Sequence, residues 1–187
     1  GFWILDNLTP LRQMAEAQAA EVAYLFRPAT ALRVRFGTND PTEWTPELPA
    51  GENPPTGGII DYYLAADGSG PVTLDILDAD GKVVRSLSSD DPVLEPDPAL
   101  DPEGYDRICR HDPSAPNCRV PLYWPAPQMV LSTEQGMHRF SWDLHFEPIG
   151  DEPREGGGAT GAVPGHTYPN VESPWAPPGE YTVRLTV

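Results

Sequence analysis

The sequence predicts a mainly β fold, an antiparallel β-sandwich with an N-terminal strand, a short helix and long loops. The first observation is a hairpin over residues 72–87, in which apolar and polar residues alternate before the turn sequence Asp78–Gly81. The second is a pair of downstream strand patterns, His138–Phe146 and Glu180–Val187. The third is a content of 24 prolines and 17 glycines in 187 residues, which favours long ordered loops. Because a lone hairpin is marginally stable, the other strands are needed to complete a sandwich.

The N-terminal part predicts a strand, a helix and a second strand. Phe2–Asp6 is a short apolar run, and Thr9 followed by Pro10 is typical of a helix start. Pro28 ends the predicted helix, and Thr30–Phe36 alternates as a strand. The helix is expected to bury a broken apolar face made of Leu11, Met14, Ala15, Val22 and Phe26.

Two parts of the chain are predicted. Residues 1–57 form the N-terminal strand, helix and linker, packed on a sandwich of residues 58–187 that opens with the strand Ile59–Leu64. The sandwich carries long insertions at 88–127 and 147–179, both rich in proline. Excursions of this length without secondary structure are usually functional or pack on a neighbour.

Charge and hydropathy exclude two classes of partner. The formal net charge of −16 repels nucleic acid phosphates and anionic lipid surfaces. No apolar run approaches the roughly 20 residues of a membrane helix, so no membrane span is expected. The chain opens on Gly1-Phe2-Trp3 without a basic leader, which is typical of a mature fragment.

The two cysteines suggest a disulfide. Cys109 and Cys118 flank a proline-bearing loop, and two cysteines at short spacing favour a disulfide in an exported protein. A zinc site that also uses His111 is the alternative, although the usual Cys-x-x-Cys spacing is absent.

No motif places catalytic groups together. Glycoside hydrolysis needs two carboxylates across a sugar, and no pair of acids is placed by a motif. Asp143 is interpreted as a hydrogen-bonding turn or edge residue. His138 and His145 fall on opposite faces if they share one strand, so a shared metal is not expected. The sequence therefore predicts a non-enzyme without a cofactor.

Aromatic residues are the remaining candidates for binding. Trp142 sits in a strand pattern and is expected in the core, whereas other tryptophans lie near prolines in loops. Exposed tryptophans serve either a protein interface or sugar stacking, and the sequence leaves both open. The candidate interface residues are Phe2, Trp3, Leu5, Trp44, Trp124 and Trp175.

Five segments of the sequence form a recognisable set: GFWILDNLTPLRQ, GENPPTGGIIDYYL, VTLDILDADGKVVRSL, GMHRFSWDLHFEP and PPGEYTVRLTV. Together they resemble the C-terminal region of bacterial exported proteins built on BNR-repeat, sortilin-like (VPS10-like) β-propellers. The resemblance implies the end of the last propeller blade, a linker and an Ig-like or fibronectin-III-like domain. Family members are often labelled glycosyl hydrolases, but the Asp-box repeats of the propeller are absent from this chain, so propeller activity is not expected.

The resemblance implies an extracytoplasmic location, periplasmic or secreted. The expected role is a structural or interaction module that docks on and stabilises a larger protein assembly. The outer, periplasmic face of a membrane complex, such as a respiratory or photosynthetic one, is a candidate location. The alternative is a carbohydrate-binding or adhesion accessory domain of a glycosidase-like propeller protein.

Overall fold

The computed structural model describes residues 7–33, 57–91, 102–113, 130–147 and 173–187. Within these ranges the protein is mainly β, as predicted, with two antiparallel sheets of three strands each. The strands are β1 (Ala23–Leu25), β2 (Gly58–Leu64), β3 (Thr73–Leu77), β4 (Val83–Ser88), β5 (Gly136–Trp142) and β6 (Thr182–Thr186). One sheet has the order β1–β2–β5 and the other β4–β3–β6.

The two sheets contribute side chains to one hydrophobic core. Ile60 and Tyr62 of β2 and Leu74 and Ile76 of β3 are at most 2% exposed and belong to the same cluster. Alternate residues of these strands point inward, as the strand period requires. The predicted core residue Trp142 also lies in the cluster, at 6% exposure.

The predicted hairpin is confirmed. β3 and β4 pair antiparallel, and Gly81 has φ 78°, the left-handed conformation that its turn requires. The Asp78 carboxylate accepts hydrogen bonds from the N–H groups of Asp80 and Lys82, at 3.0 and 2.9 Å. The side chain of Asp78 thereby satisfies turn donors that the ladder cannot reach.

The predicted N-terminal helix is too long. The structure has a 3-10 turn at Leu11–Gln13 and a helix α1 at Met14–Gln18, after which the chain enters β1. β1 forms by pairing with β2, in the register Tyr24 opposite Tyr63.

The predicted apolar face of that helix is wrong in most of its residues: Phe26 is buried, at 1% exposure, but it follows β1 and is not in the helix. Leu11 and Val22 are 50% and 65% exposed, whereas Gln13 and Ala17 are buried. Gln13 is buried because its side chain is satisfied: its amide donates to the carbonyl of Thr9 at 3.2 Å and its oxygen accepts from the N–H of Arg27 at 2.9 Å.

Two other predicted strands change at their ends. The strand expected over 138–146 ends at Trp142, because Asp143 forms a turn and Leu144 has φ 61°. Of the strand predicted at 30–36, Leu32 makes an isolated bridge to Gly57, and residues 34–36 lie outside the described residues.

The excursion predicted at 88–127 is not free of secondary structure, since a helix α2 spans Pro102–His111. Arg110 donates to Asp106 one turn earlier, at 3.0 Å, a spacing that supports a helix. Within the described ranges, no helix has the length and apolar character needed to cross a membrane.

Candidate functional site

The candidate site is built around Trp175, whose half-exposed indole matches the sequence prediction. It is 49% exposed, although it forms an isolated β-bridge with His145. On either side of this bridge the backbones are joined: Phe146 donates its N–H to the carbonyl of Pro174 at 2.9 Å, and Ala176 donates to the carbonyl of Leu144 at 2.8 Å. An exposed tryptophan is therefore held on an ordered backbone.

The imidazole of His145 lies against the indole of Trp175. The ring centroids are 3.8 Å apart and the ring planes are inclined by 39°. The backbone of His145 is fixed by its neighbours, because its N–H donates to the Asp143 carboxylate at 2.9 Å and its carbonyl accepts from the Trp142 indole N–H at 2.8 Å. Asp143 is thus a turn residue, as predicted.

Arg33 supplies a cation at the same place. Its guanidinium carbon is 5.7 Å from the centroid of the Trp175 ring, within the range of a cation–π contact. One guanidinium nitrogen also donates to the carbonyl of Ala176, at 3.2 Å. We call the set Arg33, Asp143, His145 and Trp175 the Trp175 site. It combines one apolar surface with a rim of charged and polar groups.

These side chains suit binding by surface contact. A half-exposed indole buries a large apolar area when a partner covers its exposed part. The guanidinium and carboxylate at the rim can donate and accept hydrogen bonds and so select the partner. Among the described residues, no three or more His, Cys, Asp or Glu side chains come together as a metal-binding group.

The two histidines considered for a metal occupy separate environments. His138 lies beside Tyr62, with ring centroids 5.1 Å apart, and its Nε2 is 2.6 Å from the carbonyl oxygen of Glu134. His145 belongs to the Trp175 site instead. The assumption that both lie on one strand is wrong, because β5 ends before His145.

The remaining candidates lie partly or wholly outside the described ranges. Cys109 lies in α2 and is disulfide-bonded. Its predicted partner, Cys118, lies outside the described residues, so the pairing of Cys109 with Cys118 stays a prediction. His111 is the last residue of α2. The interface candidates outside the described residues are Phe2, Trp3, Leu5, Trp44 and Trp124.

The contributions of Arg33 and His145 could not be predicted from the sequence. Arg33 belongs to the segment that alternates as a strand, and the pattern around His145 suggests only a possible metal ligand. Their contacts with Trp175 join segments far apart in the chain, and no local pattern reports such a contact. The proline-flanked tryptophan was the one signal available from the sequence.

No family model matches the chain, and neither a curated protein nor a solved structure is similar to it. The resemblance to the propeller proteins therefore stays a hypothesis.

Proposed function

We propose that this protein is a non-catalytic, extracytoplasmic interaction module that docks on a larger protein assembly through the Trp175 site. The observation that carries the proposal is the indole of Trp175, 49% exposed yet fixed by His145 and by the bridge beneath it. Tryptophan and arginine dominate the residues that anchor protein interfaces, and a pre-ordered anchor loses little entropy on binding. Trp175 and Arg33 provide that pair.

Two further observations support this role. The pair of antiparallel sheets around one core suits an Ig-like or fibronectin-III-like sandwich, an architecture that presents loops on a rigid frame. The sequence resemblance to the last domain of exported propeller proteins supports a periplasmic or secreted location. We infer that the chain works as a subunit or fragment of an assembly, with the periplasmic face of a membrane complex as one candidate.

Carbohydrate binding is the second candidate function. It is favoured by the polar groups around the indole, because sugar-binding tryptophans are flanked by groups that bond to hydroxyls. The Asp143 side chain is 61% exposed and the Arg33 guanidinium lies over the same indole. Sugar stacking needs an open indole face, however, and His145 already lies against the ring.

The test is capture of a partner from the envelope extract of the host cells by the immobilised chain. A matched pair of variants is Trp175→Ala and Met137→Ala, since Met137 is also exposed, at 39%, but is not part of the Trp175 site. We expect one stoichiometric partner, retained by Met137→Ala and lost by Trp175→Ala with a drop in affinity of about thirtyfold, typical of an anchor residue.

Glycan binding and catalysis are measured on the same samples. A glycan array that gives Trp175-dependent binding, with no protein captured, would replace the proposal by the carbohydrate-binding function. Turnover of sialosides or aryl glycosides that is abolished by replacing one acidic residue would show that the protein is an enzyme.

A further inference from the structure

A shallow groove of about 630 Å³ runs between an edge strand of each sheet. Val22, Ala23 and Leu25 line it from the β1 side, and Val183, Leu185 and Val187 line it from the β6 side. Val22 and Val187 are 65% and 48% exposed, and Ala23, Leu25, Val183 and Leu185 line the groove between them. The groove is therefore largely apolar and open to solvent along its length.

The backbone groups of Ala23 and Leu25 in β1 lie on the groove side, whereas Gln13 binds the corresponding groups of Arg27. The N–H of Phe26 donates to the backbone carbonyl of Asp61, and the backbone carbonyl of Val22 accepts from the N–H of Ala65. The backbone groups of Phe26 and Val22 therefore point toward β2. Because the direction alternates along a strand, the polar backbone groups of Ala23 and Leu25 point the other way. Within the described ranges, no strand pairs with that side of β1.

The outer edge of β6 is arranged in the same way as that of β1. The N–H of Ser89 donates to the backbone carbonyl of Val72, so the backbone groups of even-numbered β3 residues point toward β4 and those of odd-numbered residues point toward β6. The register of Asp75 opposite Arg184 then directs the backbone groups of Val183 and Leu185 away from β3. Among the described residues, β6 likewise has no second neighbouring strand.

The other edge of that sheet is covered, which sets the groove apart. Glu147 donates its N–H to the carbonyl of Val84 in β4 at 2.8 Å, and its carboxylate accepts from the N–H of Ser86 at 3.2 Å. Open strand edges promote association unless they are blunted in this way. Among the described residues no strand or side chain covers the β6 edge in this way, and an apolar groove adjoins it, which together suit an extended chain.

Charge indicates the kind of chain that fits. Three acidic residues stand next to the groove-lining segments in sequence: Glu21 before Val22, Asp78 after Leu77 and Glu180 at the start of β6. Arg184, also at the groove, is held by the carboxylate of Asp75 at 2.7 Å. Two copies of this chain, each with a net charge of −16, repel one another, whereas a basic segment is attracted.

We propose that the groove binds an extended segment of a partner protein, which adds as a strand along β6. The segment carries an apolar residue at every second position, for the groove, and lysine or arginine at its ends, for attraction to Glu21, Asp78 and Glu180. Its backbone satisfies the outward-facing groups of Val183 and Leu185. This inference rests on the proposed function, because it gives the chemistry of the partner that an interaction module would bind.

The experiment selects binders to the whole chain from a display library of random peptides of roughly ten residues, enough to span one strand. The selected peptides are then measured against Val22→Lys and the control Val83→Lys. Both replace an exposed valine and add the same charge, but Val83 lies at the start of β4, away from the groove. Melting temperatures check that both variants fold. If Val22→Lys does not fold, Val187→Lys takes its place.

We expect the selected peptides to alternate apolar residues between basic ends. Their affinity should fall at least about tenfold in Val22→Lys and stay unchanged in Val83→Lys. Hydrogen exchange at the N–H groups of Val183 and Leu185 should slow when the peptide is bound. A selection without enrichment, or peptides that bind Val22→Lys as tightly as the unmodified chain, would overturn the inference.

The Trp175→Ala variant separates this inference from the proposed function. Peptide binding should survive Trp175→Ala, because the groove does not include Trp175. If a partner is captured through Trp175 but the peptide selection fails, only the proposed peptide binding at the groove is overturned. If peptides bind the groove but no partner depends on Trp175, only docking at the Trp175 site is overturned.

Discussion

The carboxylate of Asp61 and the guanidinium of Arg139 face each other across β2 and β5, with Oδ1 and Nε 2.8 Å apart. A second contact joins Oδ2 and Nη2 at 3.3 Å, so the pair is bidentate. The Asp61 side chain is only 4% exposed, whereas that of Arg139 is 36% exposed. The carboxylate thus depends on Arg139 for compensation of its charge.

Arg139→Gln should destabilise the fold, because it leaves the Asp61 carboxylate buried without a cation. We expect a loss of about 3 kcal/mol in the free energy of unfolding, measured in urea. Adding Asp61→Asn should recover part of the loss, since the buried charge is then gone. Asp61→Asn measured alone completes the cycle, and a loss in the double variant equal to the sum of the two single losses would show that the pair is not coupled.

Tyr62→Phe should also be costly, because the phenol bonds both ways to one residue. The Tyr62 hydroxyl donates to the carbonyl of Ser132 at 2.9 Å and accepts from its N–H at 2.7 Å. Removing the hydroxyl leaves two backbone groups without their partner, for about 2 kcal/mol. Tyr24→Phe is the control. It removes an exposed hydrogen bond to Glu16 and a longer one, 3.3 Å, to the Gln13 side-chain oxygen, which still accepts from the N–H of Arg27, so it should cost less than about 1 kcal/mol. Equal losses in the two variants would contradict this account.

Two glycines with positive φ should respond differently to alanine. At Gly57, with φ 100°, an added Cβ would clash with the carbonyl oxygen of Trp142, whereas at Gly81, with φ 78°, nothing lies within 4 Å of it. Gly81→Ala should cost about 1 kcal/mol, the strain of the left-handed conformation alone. Gly57→Ala should cost at least about 2 kcal/mol more in thermal unfolding, because backbone must move. Similar melting temperatures for the two variants would refute the predicted clash.

The sequence was informative where structure is local. The hairpin could be predicted because its turn, from Asp78 to Gly81, and both its strands are adjacent in the chain. β1 could not, because Ala23–Leu25 follows a helix-like pattern and becomes a strand only through its pairing with β2. The Trp175 site shows the same division, since exposure of Trp175 followed from nearby prolines and its contact with His145 did not.

The last prediction concerns acid and the pair formed by Asp75 and Ser86. The Asp75 carboxylate accepts from the Ser86 hydroxyl at 2.7 Å and from the Arg184 guanidinium at 2.7 Å. The Ser86 hydrogen bond, followed by that of Arg184, lowers the pKa of Asp75 below its ordinary value of 3.8. Both bonds stabilise the charged form, which is the form present at neutral pH.

The sign of the pH effect follows from this lowered pKa. Above the unfolded value the charged carboxylate contributes its full stabilisation, and the contribution is lost as pH falls through the folded pKa. Asp75→Asn should therefore lower the free energy of unfolding by about 1 kcal/mol at about pH 7. The difference from the unmodified chain should shrink toward zero as pH falls from 3.8 through the lowered folded pKa of Asp75. Ser86→Ala, which keeps the carboxylate, should raise the pKa of Asp75 toward 3.8, as read from the carboxyl chemical shift in a pH titration. A difference between Asp75→Asn and the unmodified chain that stays constant from neutral to acidic pH would show that Asp75 contributes by packing and not by its charge.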